Sequence, residues 1–301
     1  MVFMGSPDFA LPTLRRLAAN YSVVGVVTQP DRPAGRGQQL TPPPVKTLAQ
    51  QLGLDVIQPE RLRRPESFAQ LAAWAPELIV VTAFGQILRQ NVLDLPRLGI
   101  INVHASLLPR WRGAAPIQAA LLHGDAVSGA SIMKLDAGVD TGPILARREV
   151  QILPEDTTAS LSPRLAEAGA ELLIEILPDY LAGNLVLAAQ DETQATYAAM
   201  IQKEEGRLDF NLASQTLVNR VRAFYPWPGA FLLWQDLPLK VHQAHVQAGP
   251  DAQPGTRAVL DRFPAVHAAD SWLVLDLIQP AGKKPMSGRD FLAGARGWQT
   301  A

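Results

Sequence analysis

Three polar side chains alternate with apolar ones in the stretch from Ile100 to Pro109. Asn102, His104 and Ser106 are separated by one residue each, and because successive side chains of a strand point to opposite faces, a strand here places all three on one face. An imidazole on such a face can carry a proton, and an amide N–H can stabilise a developing oxyanion. A single histidine is equally well explained as a hydrogen-bonded core residue, so the pattern alone leaves both interpretations open.

A second group of chemical interest is the carboxylate of Asp140. It lies in the glycine-punctuated loop 135–143, whose composition is typical of a tight turn between two strands. If Asp140 reaches His104, it would fix the imidazole tautomer and favour the protonated ring, giving a usable general acid or base. A plain turn accounts for the same residues. The chain has no cysteine, which excludes a thiolate nucleophile and cysteine-ligated metal sites, and no metal is expected.

The elements that position these residues follow an alternating pattern in the first half of the chain. Short apolar runs alternate with amphipathic segments, which predicts an α/β fold with a mostly parallel sheet. Ligands of such sheets bind beyond the carboxyl ends of the strands, where the run containing His104 also ends. Strands are predicted at 2–4, 23–27, 55–57, 78–82, 100–105, 130–135 and 144–150, and helices at 11–19, 65–74, 114–123 and 158–181.

The length of 301 residues favours two domains. The periodicity fades in the polar segment 183–202, which predicts a linker between a catalytic domain at 1–182 and a second domain at 203–301. In the second domain a helix at 211–224 precedes brief strand-like runs, which suggest a small β-barrel or sandwich. Those runs lie at 230–234, 239–242, 258–260 and 272–277.

Composition narrows the classes of function. With 48% hydrophobic and 18% charged residues the chain is not disordered overall, and a formal net charge of −1 excludes indiscriminate nucleic-acid binding. The N-terminus lacks the basic start and apolar run of a signal peptide, and no uncharged apolar stretch reaches the roughly 18 residues that span a bilayer. We therefore expect a cytoplasmic protein without membrane association.

The segment 102–117, followed by Asp140-Thr141-Gly142, resembles the folate-dependent formyltransferase family. Three further segments, 2–10, 29–37 and 279–287, are similar to the members that act on charged initiator tRNA, so the resemblance spans nearly the whole chain. It implies a Rossmann-like, mostly parallel sheet in an N-terminal formyltransferase domain, and a small OB-like β-barrel that binds tRNA in the C-terminal domain.

The resemblance also implies an activity and its residues. The formyl group of 10-formyltetrahydrofolate would pass to the α-amine of methionyl initiator tRNA. Asn102 would stabilise the oxyanion, His104 would act as general acid and base, and Asp140 would orient and tune His104. The tetrahydrofolate co-substrate would be contacted by Ser106, Leu107, Leu108 and Pro109.

Contacts to tRNA are implied at two basic places. Arg36 lies in residues 28–44, a long segment with five prolines that predicts a functional loop, and the matching arginine of the family contacts RNA. Lys283 and Lys284 lie in a basic stretch near the end of the chain, which suits phosphate contact or a solvated face equally well. A monomer is expected, because two domains already flank one bulky substrate.

Two other functions stay open on the residues alone. A formyltransferase for a small amine, either glycinamide ribonucleotide or an amino sugar, would use the same catalytic set. It is disfavoured because Gly5-Ser6-Pro7-Asp8 makes a poor anion cradle after the first strand. A non-catalytic folate- or RNA-binding relative is disfavoured because Asn102, His104 and Asp140 are all present.

Overall fold

The computed structural model describes residues 1–34 and 39–298. Its contacts divide the chain into two units. The first comprises Met1–Pro116, Val127–Gln151 and Ser162–Tyr197, and the second comprises Ile117–Ala126, Ile152–Leu161 and the chain from Ala198 onward. The domain boundaries at 182 and 203 remain a prediction. In the division by contacts, residues 183–197 belong to the first unit.

The first unit is built on a seven-stranded sheet among the described residues. The strands up to residue 198 are β1 Val2–Gly5, β2 Gly25–Val27, β3 Arg32–Ala34, β4 Gln39–Thr41, β5 Val56–Ile57, β6 Ile79–Thr82, β7 Ile100–His104, β8 Arg112–Gly113, β9 Val127–Lys134, β10 Ile144–Gln151 and β11 Tyr197–Ala198. The order in the sheet is β10-β9-β7-β6-β1-β2-β5, and two short pairs, β3 with β4 and β8 with β11, lie outside it. Strands β5, β2, β1, β6 and β7 are parallel, whereas β9 and β10 are antiparallel to their neighbours. The predicted Rossmann-like sheet is thereby confirmed.

Helices connect these strands in sequence. They are α1 Leu11–Asn20, α2 Pro44–Gln51, α3 Pro65–Ala73, α4 Gln90–Leu93, α5 Pro116–Leu122 and α6 Thr158–Ala182. Residues 117–122 of α5 and 158–161 of α6 belong to the second unit. Side chains of β7 alternate between two apolar cores, as the period of a strand requires. Ile101 and Val103 pack into the core that includes Leu14 of α1 and Leu173 of α6, whereas Ile100 packs with Leu71 of α3.

The second unit contains an antiparallel sheet with the order β12-β13-β16-β15-β14, and β17 pairs with β16. The strands are β12 Ala230–Trp234, β13 Leu237–Gln247, β14 Arg257–Leu260, β15 Phe263–His267, β16 Trp272–Gln279 and β17 Met286–Ser287, and the helices are α7 Ser214–Ala223 and α8 Gly288–Gly294. The guanidinium of Arg257 donates to the carbonyl of Leu233 at 2.8 Å, joining the two ends of the strand order. This curled sheet agrees with the predicted OB-like barrel.

The segment 28–44 differs from the predicted loop. Residues Arg32–Ala34 pair with Gln39–Thr41 as an antiparallel hairpin, and helix α2 begins at Pro44. Prolines at 42–44 favoured a loop in sequence, but the first helical position tolerates proline, since its N–H has no partner in the helix. Arg36 lies outside the described residues. Within residues 1–34 and 39–298, no helix combines the length and apolar character needed to span a bilayer.

Candidate active site

His104 ends strand β7, and an oxygen atom lies near each of its two ring nitrogens. Its Nε2 lies 2.9 Å from the carbonyl oxygen of Trp111, and because a carbonyl only accepts, Nε2 carries the hydrogen. Its Nδ1 lies 3.6 Å from Oδ2 of Asp140, beyond hydrogen-bond distance. The whole residue is 6% exposed. The carbonyl of Trp111, rather than Asp140 as the sequence suggested, therefore sets the tautomer, and Nδ1 is left to take up a proton beside a carboxylate.

Asp140 is fixed from both its side chain and its backbone. Oδ2 accepts the backbone N–H of Gly113 at 2.8 Å, and Nε2 of Gln190 donates to the backbone carbonyls of Asp140 at 2.9 Å and of Gly142 at 2.7 Å. Asp140 has φ of 53°, in the left-handed region that non-glycine residues seldom adopt. These contacts hold the carboxylate against His104 in a conformation that the local sequence alone disfavours.

Asn102 stands on the same face of β7, two residues before His104. Its backbone lies between Val81 of β6 and Met133 of β9, and the residue is 9% exposed. In the part of the chain that the structure describes, its side-chain amide has no hydrogen-bond partner. A nearly buried amide of this kind can donate to a ligand oxygen without breaking an existing bond.

The segment Ser106 to Pro109 is a turn with its own polar network. Ser106 Oγ donates to the carbonyl of Arg110 at 2.6 Å, and Ser131 Oγ donates to the carbonyl of Ser106 and accepts the N–H of Leu108. Ser106 and Leu108 are fully buried, whereas Leu107 and Pro109 keep part of their surface. Of the four residues predicted to contact folate, these two offer side-chain surface to a ligand.

The sequence did not identify the residues that support this arrangement from the segment 190–197. Arg112 is 0% exposed, and both of its terminal nitrogens bond to the carboxylate of Glu192 at 2.8 Å. The hydrogen bond from Arg112 lowers the pKa of the Glu192 carboxyl and raises that of the guanidinium. Thr196 accepts the N–H of Trp111 through Oγ1 at 2.9 Å. The only signal in the sequence is an arginine that follows β7, and it gives no indication of its partners.

Lys283 and Lys284 lie in the second unit, in the turn between β16 and β17, and both are exposed. Among the described residues no group of three or more His, Asp or Glu side chains is arranged to hold a metal ion. Arg36, the remaining predicted tRNA contact, lies outside the described residues.

Comparison with known families gives two matches in sequence order. The model described as formyl transferase matches residues 2–177, and the model described as formyl transferase, C-terminal domain, matches residues 200–296. Together they cover both units.

Individual relatives agree with this assignment. The chain is 48% identical over 297 residues to the methionyl-tRNA formyltransferase of Myxococcus xanthus, covering 98% of this chain and 94% of the relative. It is also 48% identical over 294 residues to that of Methylococcus capsulatus, covering 97% and 96%. Among solved structures, the sugar 3N-formyl transferase WlaRD, determined in the presence of dTDP and 5-N-formyl-THF, superimposes with a TM-score of 0.69. It shares 17% identity over 94% of this chain and 98% of that one, a likeness that shows the fold alone.

Proposed function

The chain belongs to the formyl transferase family, and we propose that it transfers the formyl group of 10-formyltetrahydrofolate to the α-amine of methionyl initiator tRNA. The observation that carries the proposal is the arrangement around β7. The amide of Asn102 is unpaired among the described residues and shares a face with His104, whose Nδ1 faces Asp140 at 3.6 Å. Both curated relatives at 48% identity bear the name of this activity.

The chemistry requires an oxyanion donor and a proton carrier. The amine nitrogen bonds to the formyl carbon, the formyl oxygen becomes an oxyanion, and the bond from that carbon to the folate nitrogen then breaks. Asn102 donates its amide N–H to the oxyanion. His104 accepts the amine proton at Nδ1 and returns it to the departing nitrogen, while Asp140 stabilises the intervening imidazolium. Atoms and charge balance without any further reactant.

The surroundings of these residues suit a folate. Strands β6 and β7 are parallel neighbours, so both end at the same edge of the sheet, and such edges form ligand crevices. Leu107 and Pro109 follow β7, and Ile87, which is 88% exposed, follows β6. Partly exposed apolar side chains at the ends of adjacent strands are the surface that a flat pterin ring needs. In this proposal the folate binds here, and the exposed Lys283 and Lys284, together with Arg36, contact tRNA phosphates in a cytoplasmic monomer.

The test is an acceptor assay with the purified chain and 10-formyltetrahydrofolate. Methionine-charged initiator tRNA should yield formylmethionine, whereas glycinamide ribonucleotide and a nucleotide-linked amino sugar should yield no formylated product. Formylation of a small amine alone would make the proposed acceptor wrong. Folate binding without transfer to any of the three acceptors would favour a non-catalytic relative.

Variants separate the roles of the individual residues. Asn102→Ala should lower the rate by roughly 10² to 10³ through loss of the oxyanion donor, and His104→Ala by roughly 10² to 10⁴ through loss of the proton carrier. Replacing Lys283 and Lys284 together by alanine should weaken tRNA binding and reduce the slope of log K against log salt by about 2. An unchanged slope would remove both lysines from the interface.

A further inference from the structure

Arg112 is an unusual buried cation close to the candidate active site. Its side chain is 0% exposed, and a buried guanidinium is strongly unfavourable unless it is paired and hydrogen-bonded. Its partners all come from the segment 190–197: Glu192 binds both terminal nitrogens at 2.8 Å, Gln190 accepts from Nε at 3.0 Å, and the Tyr197 hydroxyl lies 3.4 Å from Nη1. The arginine therefore anchors this segment to the residues that follow β7.

Gln190 carries the connection from Arg112 to the loop of Asp140. Because a guanidinium only donates, the oxygen of the Gln190 amide must face Arg112, and its nitrogen is then directed away from the arginine. That nitrogen donates to the carbonyls of Asp140 and Gly142, on either side of Thr141. The buried guanidinium of Arg112 thus orients the Gln190 amide, and the amide nitrogen in turn holds the loop that carries Asp140.

The backbone around Arg112 contacts both members of the catalytic pair. The carbonyl of Trp111 accepts from His104 Nε2 at 2.9 Å, and the N–H of Gly113 donates to Asp140 Oδ2 at 2.8 Å. The carbonyl of Thr196 accepts the N–H of Arg112 at 2.8 Å and so holds the tripeptide 111–113 in place. The position of a single tripeptide therefore fixes the distance between imidazole and carboxylate.

We propose that Arg112, Gln190 and Glu192 form a positioning unit that sets the His104–Asp140 geometry, so that residues 190–197 complete the active site. The inference rests on the proposed function for its rate measurements, since those require formyl transfer. It assigns a role to a segment whose sequence is typical of a linker. The three residues act through His104 and Asp140 and need not touch either substrate.

Two nearly isosteric variants test the proposal while Arg112 stays in its buried position. Glu192→Gln removes the charge of a side chain that is 67% exposed, and Gln190→Met removes the amide that holds the loop. We expect each to lower kcat by about 10- to 100-fold, since misplacement by about 1 Å far from the chemistry can cost 10²-fold. KM for both substrates should change less than about threefold, and circular dichroism should stay native. The matched control is Glu149→Gln, an exposed glutamate on β10, which should keep wild-type kcat.

A spectroscopic measurement does not depend on activity. The chain has five histidines, so the ¹⁵N signals of the His104 ring can be assigned by substitution. In the wild type they should report hydrogen on Nε2. In Gln190→Met and Glu192→Gln the ring signals should shift, because the carboxylate of Asp140 or the carbonyl of Trp111 moves relative to the ring. Wild-type kcat and an unchanged His104 signal in both variants would overturn the inference. An inactive wild type would overturn the proposed function, and the His104 signals would still decide the inference.

Discussion

Replacing Asp140 by asparagine isolates the charge beside His104. Asparagine has nearly the shape of aspartate and keeps an oxygen that can accept the N–H of Gly113, a contact of 2.8 Å in the wild type. What it removes is the negative charge 3.6 Å from Nδ1 of His104. The two side chains are 16% and 7% exposed, so salt screens their interaction less than that of a surface pair.

The size of the effect follows from that distance. At an effective dielectric constant of about 20, unit charges 3.6 Å apart attract by about 4 to 5 kcal/mol. In the proposed mechanism His104 holds the extra proton only during the transfer, so this attraction would stabilise the transition state and not the resting enzyme. Because each 1.36 kcal/mol is about tenfold in rate, Asp140→Asn should lower kcat by about 10³.

The assay is single-turnover formylation of methionine-charged initiator tRNA at saturating 10-formyltetrahydrofolate. Asp136→Asn is the matched control: its carboxylate lies in the same loop and bonds to Gly138 and Thr141, contacts that an asparagine oxygen can also accept. It should stay within about twofold of the wild type, since roughly 0.4 kcal/mol is twofold. If Asp140→Asn keeps more than about a tenth of wild-type kcat, the electrostatic argument is wrong. An equal loss of kcat in both variants would show that the effect comes from a change in the conformation of loop 135–143 and not from the charge of Asp140.

Three further outcomes are expected. Gly142→Ala should lower kcat by at least about tenfold, because the added Cβ would lie 1.9 Å from the carbonyl oxygen of Lys134 and must displace the catalytic loop; unchanged kinetics would contradict this. The backbone N–H of Ser214 donates to the Asp270 carboxylate and lowers the pKa of that carboxyl below its usual value. The ionised carboxylate therefore stabilises the fold above about pH 4, and this stabilisation is lost as the pH falls through the lowered pKa. The difference in free energy of unfolding between wild type and Asp270→Asn, measured in urea, should therefore shrink on acidification, and a constant or growing difference would refute it. Leu275→Ala, at a fully buried position in the second unit, should cost about 2 to 5 kcal/mol of unfolding free energy. A cost below about 1 kcal/mol would show that the core of the second unit collapses around the gap.

The strand that carries Asn102 and His104 could be predicted from its sequence, because the alternation of polar and apolar residues is a local signal. Alternation alone places Asn102 and His104 on one side of β7. The structure confirms this, because Ile101 and Val103 pack into an apolar core on the other side. Asp140 is different, since no periodicity in residues 135–143 specifies which strand end the loop approaches. The residues alone allowed a pairing with His104 only as one of two open interpretations, and the family resemblance favoured it.

The supporting residues could not be predicted because their partners are distant in sequence. Arg112 and Glu192 are 80 residues apart, and the run around Glu192 has the polar composition of a solvated connection. Most of residues 183–197 are indeed exposed. Their importance comes from a few directed contacts to buried groups, which composition and periodicity do not record.

The conformations around His104 explain why such distant support is needed. Trp111 has φ of 61° and Asp140 has φ of 53°, and non-glycine residues in this region cost of order 1 kcal/mol or more each, so they persist only where surrounding contacts determine them. The carbonyl of Trp111 and the carboxylate of Asp140 are the two groups that face the imidazole. Each of these two unfavourable backbone conformations therefore directs an oxygen atom towards the His104 ring. The bond that the N–H of Trp111 donates to Thr196 and the bond that Gln190 donates to Asp140 offset that cost. The buried guanidinium of Arg112, paired with Glu192, holds Gln190 in place. A relative that kept the catalytic set but lost this ion pair should retain the sheet and lose the geometry of the site.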